Sequence, residues 1–237
     1  MDQRAPALPE TDAISLTWRM FGNAGVVQQQ DRPVTETFTR AAPPVLYWPW
    51  RAQMFKTLFR NDGTYGRLGV HRPRAPDRAR LPQARWFDGS GTPLGGAHLT
   101  SRVFSDLGRD PYGLAQLNHY ALGSMEDYIL KCDRGRANRA AAGFDMGYWV
   151  ERNFSDCADR SILQLDSEGE RAALLADPLL AELSAQARAW RRARFQTLMQ
   201  TEEARALFGR LMLTPPTRVL TAEEARLIWA HGRPDQT

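Results

Sequence analysis

The stretch Ala115-Gln116-Leu117-Asn118-His119-Tyr120-Ala121-Leu122-Gly123-Ser124-Met125-Glu126-Asp127-Tyr128-Ile129-Leu130-Lys131-Cys132-Asp133-Arg134-Gly135 decides the fold class, because its structural signal changes partway along. Ala115 to Leu122 reads as a strand. Ser124 then opens a helix, with Glu126 and Asp127 in the first turn, where carboxylates suit the helix dipole. Met125, Tyr128, Ile129 and Cys132 give that helix one apolar face, and Gly135 is a natural C-terminal cap. Strand signals lie before this point and helix signals after it.

Working outward toward the N-terminus, Ala13-Ile14-Ser15-Leu16-Thr17-Trp18 alternates and is rich in β-branched residues, so it predicts a strand. The glycines of Phe21-Gly22-Asn23-Ala24-Gly25 permit a turn with positive φ. Val45 to Phe59 is an aromatic-rich extended stretch that ends at Asn61-Asp62-Gly63, a hairpin-type turn. Leu68 to His71 reads as a short strand stopped by Pro73, residues 72–85 as an exposed loop, and Arg85 to Gly91 as a strand running into an Asp-Gly turn. Toward the C-terminus, Met146 to Phe154 predicts a short helix. Ser167 with Glu170 predicts a capping box, and Asp177-Pro178 starts a long helix whose stripe is Leu180, Leu183, Ala187, Trp190 and Leu198. Helices follow over Glu202–Leu213 and Ala222–Trp229, the last capped by Thr221 and Glu224. The fold class is therefore mixed α/β, with short strands in the N-terminal half, a helical C-terminal tail and no internal repeat.

Composition narrows the function classes. Among 237 residues there are 29 arginines but only two lysines, Lys56 and Lys131, for a formal charge of +4. A pI near 9.4 mostly reflects arginine's high pKa, so it is weak support for a nucleic-acid partner. The arginine run Arg188, Arg191, Arg192, Arg194 lies beside acidic and apolar residues and suits an ordinary amphipathic helix, so no nucleic acid is expected. No apolar run approaches the ~20 residues of a membrane span, which predicts no transmembrane segment and leaves room for peripheral membrane contact. No signal peptide is visible, and Cys132 and Cys157 are too few for a disulfide framework, so a cytoplasmic setting is the default.

Several motifs are absent from the sequence: a phosphate-binding glycine loop, a dinucleotide fingerprint, a nucleophile elbow, a His-x-x-x-His pair, a Cys-x-x-Cys and an Asp-x-Asp. The densest polar cluster is residues 118–136. Lys131 and Arg134 are three apart on one helix, so they point to a cationic face able to hold a diphosphate, or equally to a solvated helix edge.

The segment Asn118-His119-Tyr120-Ala121-Leu122-x-Ser124-x-Glu126-x-Tyr128-x-x-Lys131-x-x-Arg134-Gly135-Arg136 resembles the C-terminal signature of bacterial family 2 glycosyltransferases related to glycosyltransferase family 92. Four further stretches resemble the same family in the same order. They are Ala13 to Gly22 with its Trp-x-x-Phe-Gly element, Val34 to Arg40, the pair Lys56–Arg60 and Leu68–Pro73, and Tyr148 to Ile162. The resemblance covers residues 12–162 and is weak over 163–237. It implies a GT-A-like fold that transfers a sugar from a nucleotide-sugar donor to a glycan or other hydroxyl acceptor. It also implies a divalent metal, Mn or Mg, on the diphosphate and a carboxylate base for the acceptor hydroxyl.

In the family, the Asp-x-Asp segment and nucleotide-binding region lie upstream of the Trp-x-x-Phe-Gly block, and this chain begins shortly before that block. Residues 1–162 are thus expected to be the C-terminal portion of an incomplete GT-A-like domain, and 163–237 a helical tail. The alternative is a non-catalytic remnant or interaction module without donor and metal binding. Under the resemblance His119 is the leading candidate metal ligand and His71 its rival, against a strand histidine bonding a core carbonyl and a surface histidine. Lys131, Arg134 and Lys56 are candidates for donor phosphate. Trp18 is a candidate stacking platform for sugar or nucleotide, or else core packing. Glu36 is a candidate acceptor base, or else a solvated strand carboxylate.

Overall fold

The computed structural model describes residues 10–135 and 143–231; Arg136 of the quoted signature lies outside them. In chain order the elements are β1 (Ala13–Met20), α1 (Val34–Thr37), β2 (Arg40–Ala41), β3 (Phe55–Phe59), β4 (Tyr65–Arg67), β5 (Arg74–Pro76), β6 (Trp86–Asp88), β7 (Pro93–Leu94), α2 (Ala97–Thr100) and β8 (Leu117–His119). They continue as α3 (Met125–Arg134), α4 (Met146–Val150), β9 (Cys157–Ala158), α5 (Glu168–Leu175), α6 (Pro178–Leu198), α7 (Glu202–Leu213) and α8 (Ala222–His231). The chain is mixed α/β, and its main sheet mixes strand directions: β1 is antiparallel to β3 and parallel to β6, and β6 is antiparallel to β7. Among the described residues no helix is long and apolar enough to cross a membrane.

The chain divides into two compact units, each assembled from separated segments. Unit 1 comprises residues 1–19, 42–119 and 219–237; unit 2 comprises 20–41 and 120–218.

In unit 1, β1 alternates as expected for a strand, but three of its inward side chains, Ser15, Thr17 and Arg19, are polar. Ala13, Ser15, Thr17 and Arg19 are buried, whereas Ile14, Leu16 and Trp18 are half-buried. Thr17 and Arg19 survive burial by bonding, whereas the buried Ser15 hydroxyl has no partner. Thr17 Oγ1 lies 2.6 Å from Ser105 Oγ, and Arg19 Nε donates to the Ala42 carbonyl at 2.7 Å. Trp86, Tyr65 and Ala13 form a small apolar core with Phe59, Leu81 and Leu99. From the C-terminal segment, Trp229 of α8 meets Trp48 edge-on at 5.4 Å between ring centroids.

The structure departs from several local expectations. The Asn61-Asp62-Gly63 turn exists, with Gly63 at φ +90°, but it joins β3 to β4, which lie in different sheets and do not form a hairpin. The hairpin is β4–β5, with Tyr65 opposite Pro76 and Arg67 opposite Arg74. Residues 68–73, expected to include a strand, are its connection, since Pro73 brings no N–H to a ladder.

Unit 2 is built around α3, whose N-terminus is a reciprocal capping box: Ser124 Oγ accepts from the Asp127 N–H and Asp127 accepts from the Ser124 N–H. Gly135 ends the helix, as its residue type predicts. The apolar face of α3 packs with Trp149, Phe195 and Leu211 into the larger core, where burial pushes the Cys132 thiol up to about 11. Gly22 is required for space: a Cβ there would lie 2.1 Å from the Phe154 carbonyl oxygen, while positive φ in that turn falls on Ala24 and Gly25. Ser167 caps α5 by position alone, without a side-chain bond, so the box expected with Glu170 does not form. The α6 stripe is also corrected. Leu183 is 49 % exposed and Trp190 62 %; the helix buries Phe195, and of the expected stripe Leu198 packs beside it on the core. The arginine run of α6 is engaged within the unit, Arg191 with Asp127, Arg192 with Asp31 and Arg194 with Asp133 at 2.7 Å.

Candidate functional site

Four of the residues singled out from sequence meet in unit 1. β1 presents Trp18 on its half-open face. The antiparallel register sets Lys56 of β3 opposite Leu16, so Lys56 stands on that same face, diagonal to Trp18. Its ammonium lies 5.8 Å from the Trp18 ring centroid. His119 of β8 stacks on Trp18, with centroids 4.0 Å apart and planes inclined by 18°. His71, in the β4–β5 connection, reaches the other three through a 5.4 Å ring contact with Trp18.

β3 holds that connection in place through three successive residues. Lys56 Nζ donates to the Val70 carbonyl at 2.6 Å, Thr57 Oγ1 donates to the His71 carbonyl at 3.0 Å, and His71 Nδ1 lies 2.9 Å from the Phe55 carbonyl. A carbonyl only accepts, so the neutral ring carries its proton on Nδ1 and keeps the Nε2 lone pair. Burial lowers the His71 pKa, and the nearby Lys56 charge lowers it further against the opposing bond to Phe55. The cluster therefore offers a neutral imidazole, an ammonium with donors to spare and a half-buried indole. Those groups suit proton transfer and the binding of a polar ligand with an anionic part.

The other singled-out residues belong to unit 2. Glu36 lies in α1, a single helical turn rather than a strand, and pairs with Arg171 at 3.8 Å beside a cleft of about 490 Å³. Lys131 turns its ammonium inward to the Ala121 carbonyl and lies 3.3 Å from Tyr148 Oη. The ammonium sits 4.7 Å and 4.8 Å from the Phe144 and Tyr148 ring centroids. Arg134 is exposed in the last turn of α3, where a cation suits the helix dipole. The two cations three residues apart thus have different surroundings. Sequence reasoning missed Phe144 and Tyr148 as partners of Lys131, and Arg152, whose guanidinium lies 3.8 Å from the Tyr148 centroid. Their spacing carries no motif; a lone lysine among aromatic residues was the available signal.

A Mn or Mg ion takes mainly oxygen ligands. His71 and His119 bring two imidazoles to one place, and among the described residues no group of three or more His, Cys, Asp or Glu side chains gathers that could hold a metal. The described residues therefore do not make up a ligand set for this ion. No known family, curated protein or solved structure matches this chain.

Proposed function

We propose that the chain acts in sugar transfer, as a glycosyltransferase or the C-terminal portion of one, passing a sugar from a nucleotide-sugar donor to an acceptor hydroxyl. Residues 1–162 are then part of a GT-A-like domain and 163–237 its helical tail, in a cytoplasmic setting that goes with a nucleotide-sugar donor. One observation carries this reading. Trp18, Lys56, His71 and His119, drawn from separate stretches that each resemble the family, converge on one half-open face. Lys56 supplies charge for the donor's phosphates, neutral His71 a proton acceptor, and the Trp18–His119 stack a rigid wall for a sugar or base.

Titration calorimetry with a panel of nucleotide-sugars plus manganese tests the proposal. Saturable heat is expected with at least one donor, weakened roughly tenfold by Lys56→Gln, the size of one lost hydrogen bond to a charged group. If a folded chain gives no heat with any donor, the enzyme reading of this chain is wrong. The second reading, a non-catalytic interaction module, is favoured by the inward engagement of Lys131 and the exposed Leu183 and Trp190. It would then stand.

A further inference from the structure

Behind His71 lies a cleft of about 320 Å³ lined by His71, Arg72, Arg74, Thr100 and Ser101 among others, with no carboxylate in its lining. Arg72 is only 5 % exposed. Within the protein its guanidinium donates through Nη2 to the Leu99 carbonyl and lies 5.6 Å from the Trp86 centroid, and its buried Nε has no hydrogen-bond acceptor. No described carboxylate pairs with it; the Tyr65 hydroxyl interacts favourably with it and Arg74 repels it. A buried guanidinium that does not lose its proton and lacks a counter-charge is costly. Two other clefts among the described residues do not share this imbalance. One lined by Arg80 and Arg85 also contains Asp12 and Asp62, with Arg85 paired to Asp12 at 3.9 Å and to Glu10; the cleft beside Arg171 contains its partner Glu36.

The backbone is shaped to bring the two arginines to this place. A Cβ on Gly69 would lie 2.2 Å from the Arg72 carbonyl oxygen and 3.1 Å from Arg74 Nε, so only glycine lets the connection close this tightly. Arg74, exposed on β5, stands at the mouth. Thr100 and Ser101 add two hydroxyls at the end of α2.

We propose that this cleft is a binding site for a phosphoryl group. Two guanidinium groups with two hydroxyls match a tetrahedral oxyanion carrying three or four acceptor oxygens and close to two charges at neutral pH. The anion supplies the counter-charge that Arg72 lacks. This inference does not depend on sugar transfer. The phosphoryl group comes either from free phosphate or from the end of a nucleotide, and the same chemistry serves both.

The test is titration calorimetry at constant ionic strength with inorganic phosphate, with uridine 5′-monophosphate, and with sodium chloride as control. Saturable binding is expected for a phosphorylated probe and none for chloride. Equal affinity for both probes identifies free phosphate as the ligand, and tighter binding of the nucleotide identifies a nucleotide end. Arg74→Gln, an exposed change that leaves the fold intact, is expected to weaken binding at least tenfold, and Ser101→Ala by a smaller factor. Arg72→Met is expected to abolish binding; if it does not fold, Arg74→Gln decides. Absence of saturable binding, or wild-type affinity in Arg74→Gln, overturns the proposal.

Discussion

Lys131 is one of two lysines in a chain with 29 arginines, and its surroundings explain why an ammonium is kept there. A compact ammonium fits between the Ala121 carbonyl and the rings of Phe144 and Tyr148, where a planar guanidinium would need more room. Removing it leaves that carbonyl short of a donor. Lys131→Met is expected to lower unfolding stability by about 1–3 kcal/mol, with Lys131→Arg failing to restore it, as read by urea denaturation. At the same helix, Ser124→Ala should cost about 1 kcal/mol through loss of the cap. The rarity of lysine marked position 131 in the sequence. What the sequence did not carry was direction, since an ammonium aimed at solvent phosphate and one aimed at a backbone carbonyl have the same local spacing. Arg72 shows the same limit. It sat inside a quoted stretch, yet only the absence of a carboxylate in three dimensions sets it apart.

At the scale of elements, boundaries were legible where the chemistry is local. The cap at Ser124, the Asp177 cap and the Thr221–Glu224 box follow from side chains that bond their own backbone, and the end at Gly135 from the positive φ glycine allows. Which face an element buries was less legible. Strand β1 alternates as its pattern indicates, but it turns Ser15 and Thr17 inward and leaves Ile14, Leu16 and Trp18 half-open, because distant Ser105 satisfies Thr17. Helix α6 has apolar residues around much of its circumference, so periodicity alone placed Leu180, Leu183 and Trp190 on the buried side and was right only at Leu198. The difference is measurable. Leu183→Gln and Trp190→Gln should each change stability by less than about 0.5 kcal/mol, whereas Phe195→Ala should cost about 3–5 kcal/mol. Equal costs on the two faces would refute this placement of the helix.

At the scale of the molecule, titration gives a testable signature. His71 and His98 of unit 1 both have pKa values lowered chiefly by burial, with His98 lowered further by Arg102. A lowered histidine pKa means the unfolded chain binds protons first as pH falls. Their contribution to stability is therefore complete above about 6.5, the unfolded value, and declines as pH drops from there toward the folded values. The denaturation midpoint should fall between pH 7 and 5.5, and a His71→Gln, His98→Gln double variant should show a flatter profile. A midpoint that rises on acidification would contradict the burial of these rings.

The segmented make-up of unit 1 also has a consequence for how the chain is made. Helix α8 supplies Trp229 to Trp48, yet residues 49–228 are translated between the two. At about 5–20 residues per second, a ribosome takes on the order of 10–40 s to pass that interval. For that time the nascent Trp48 waits without its partner ring, and a chaperone has its opening there.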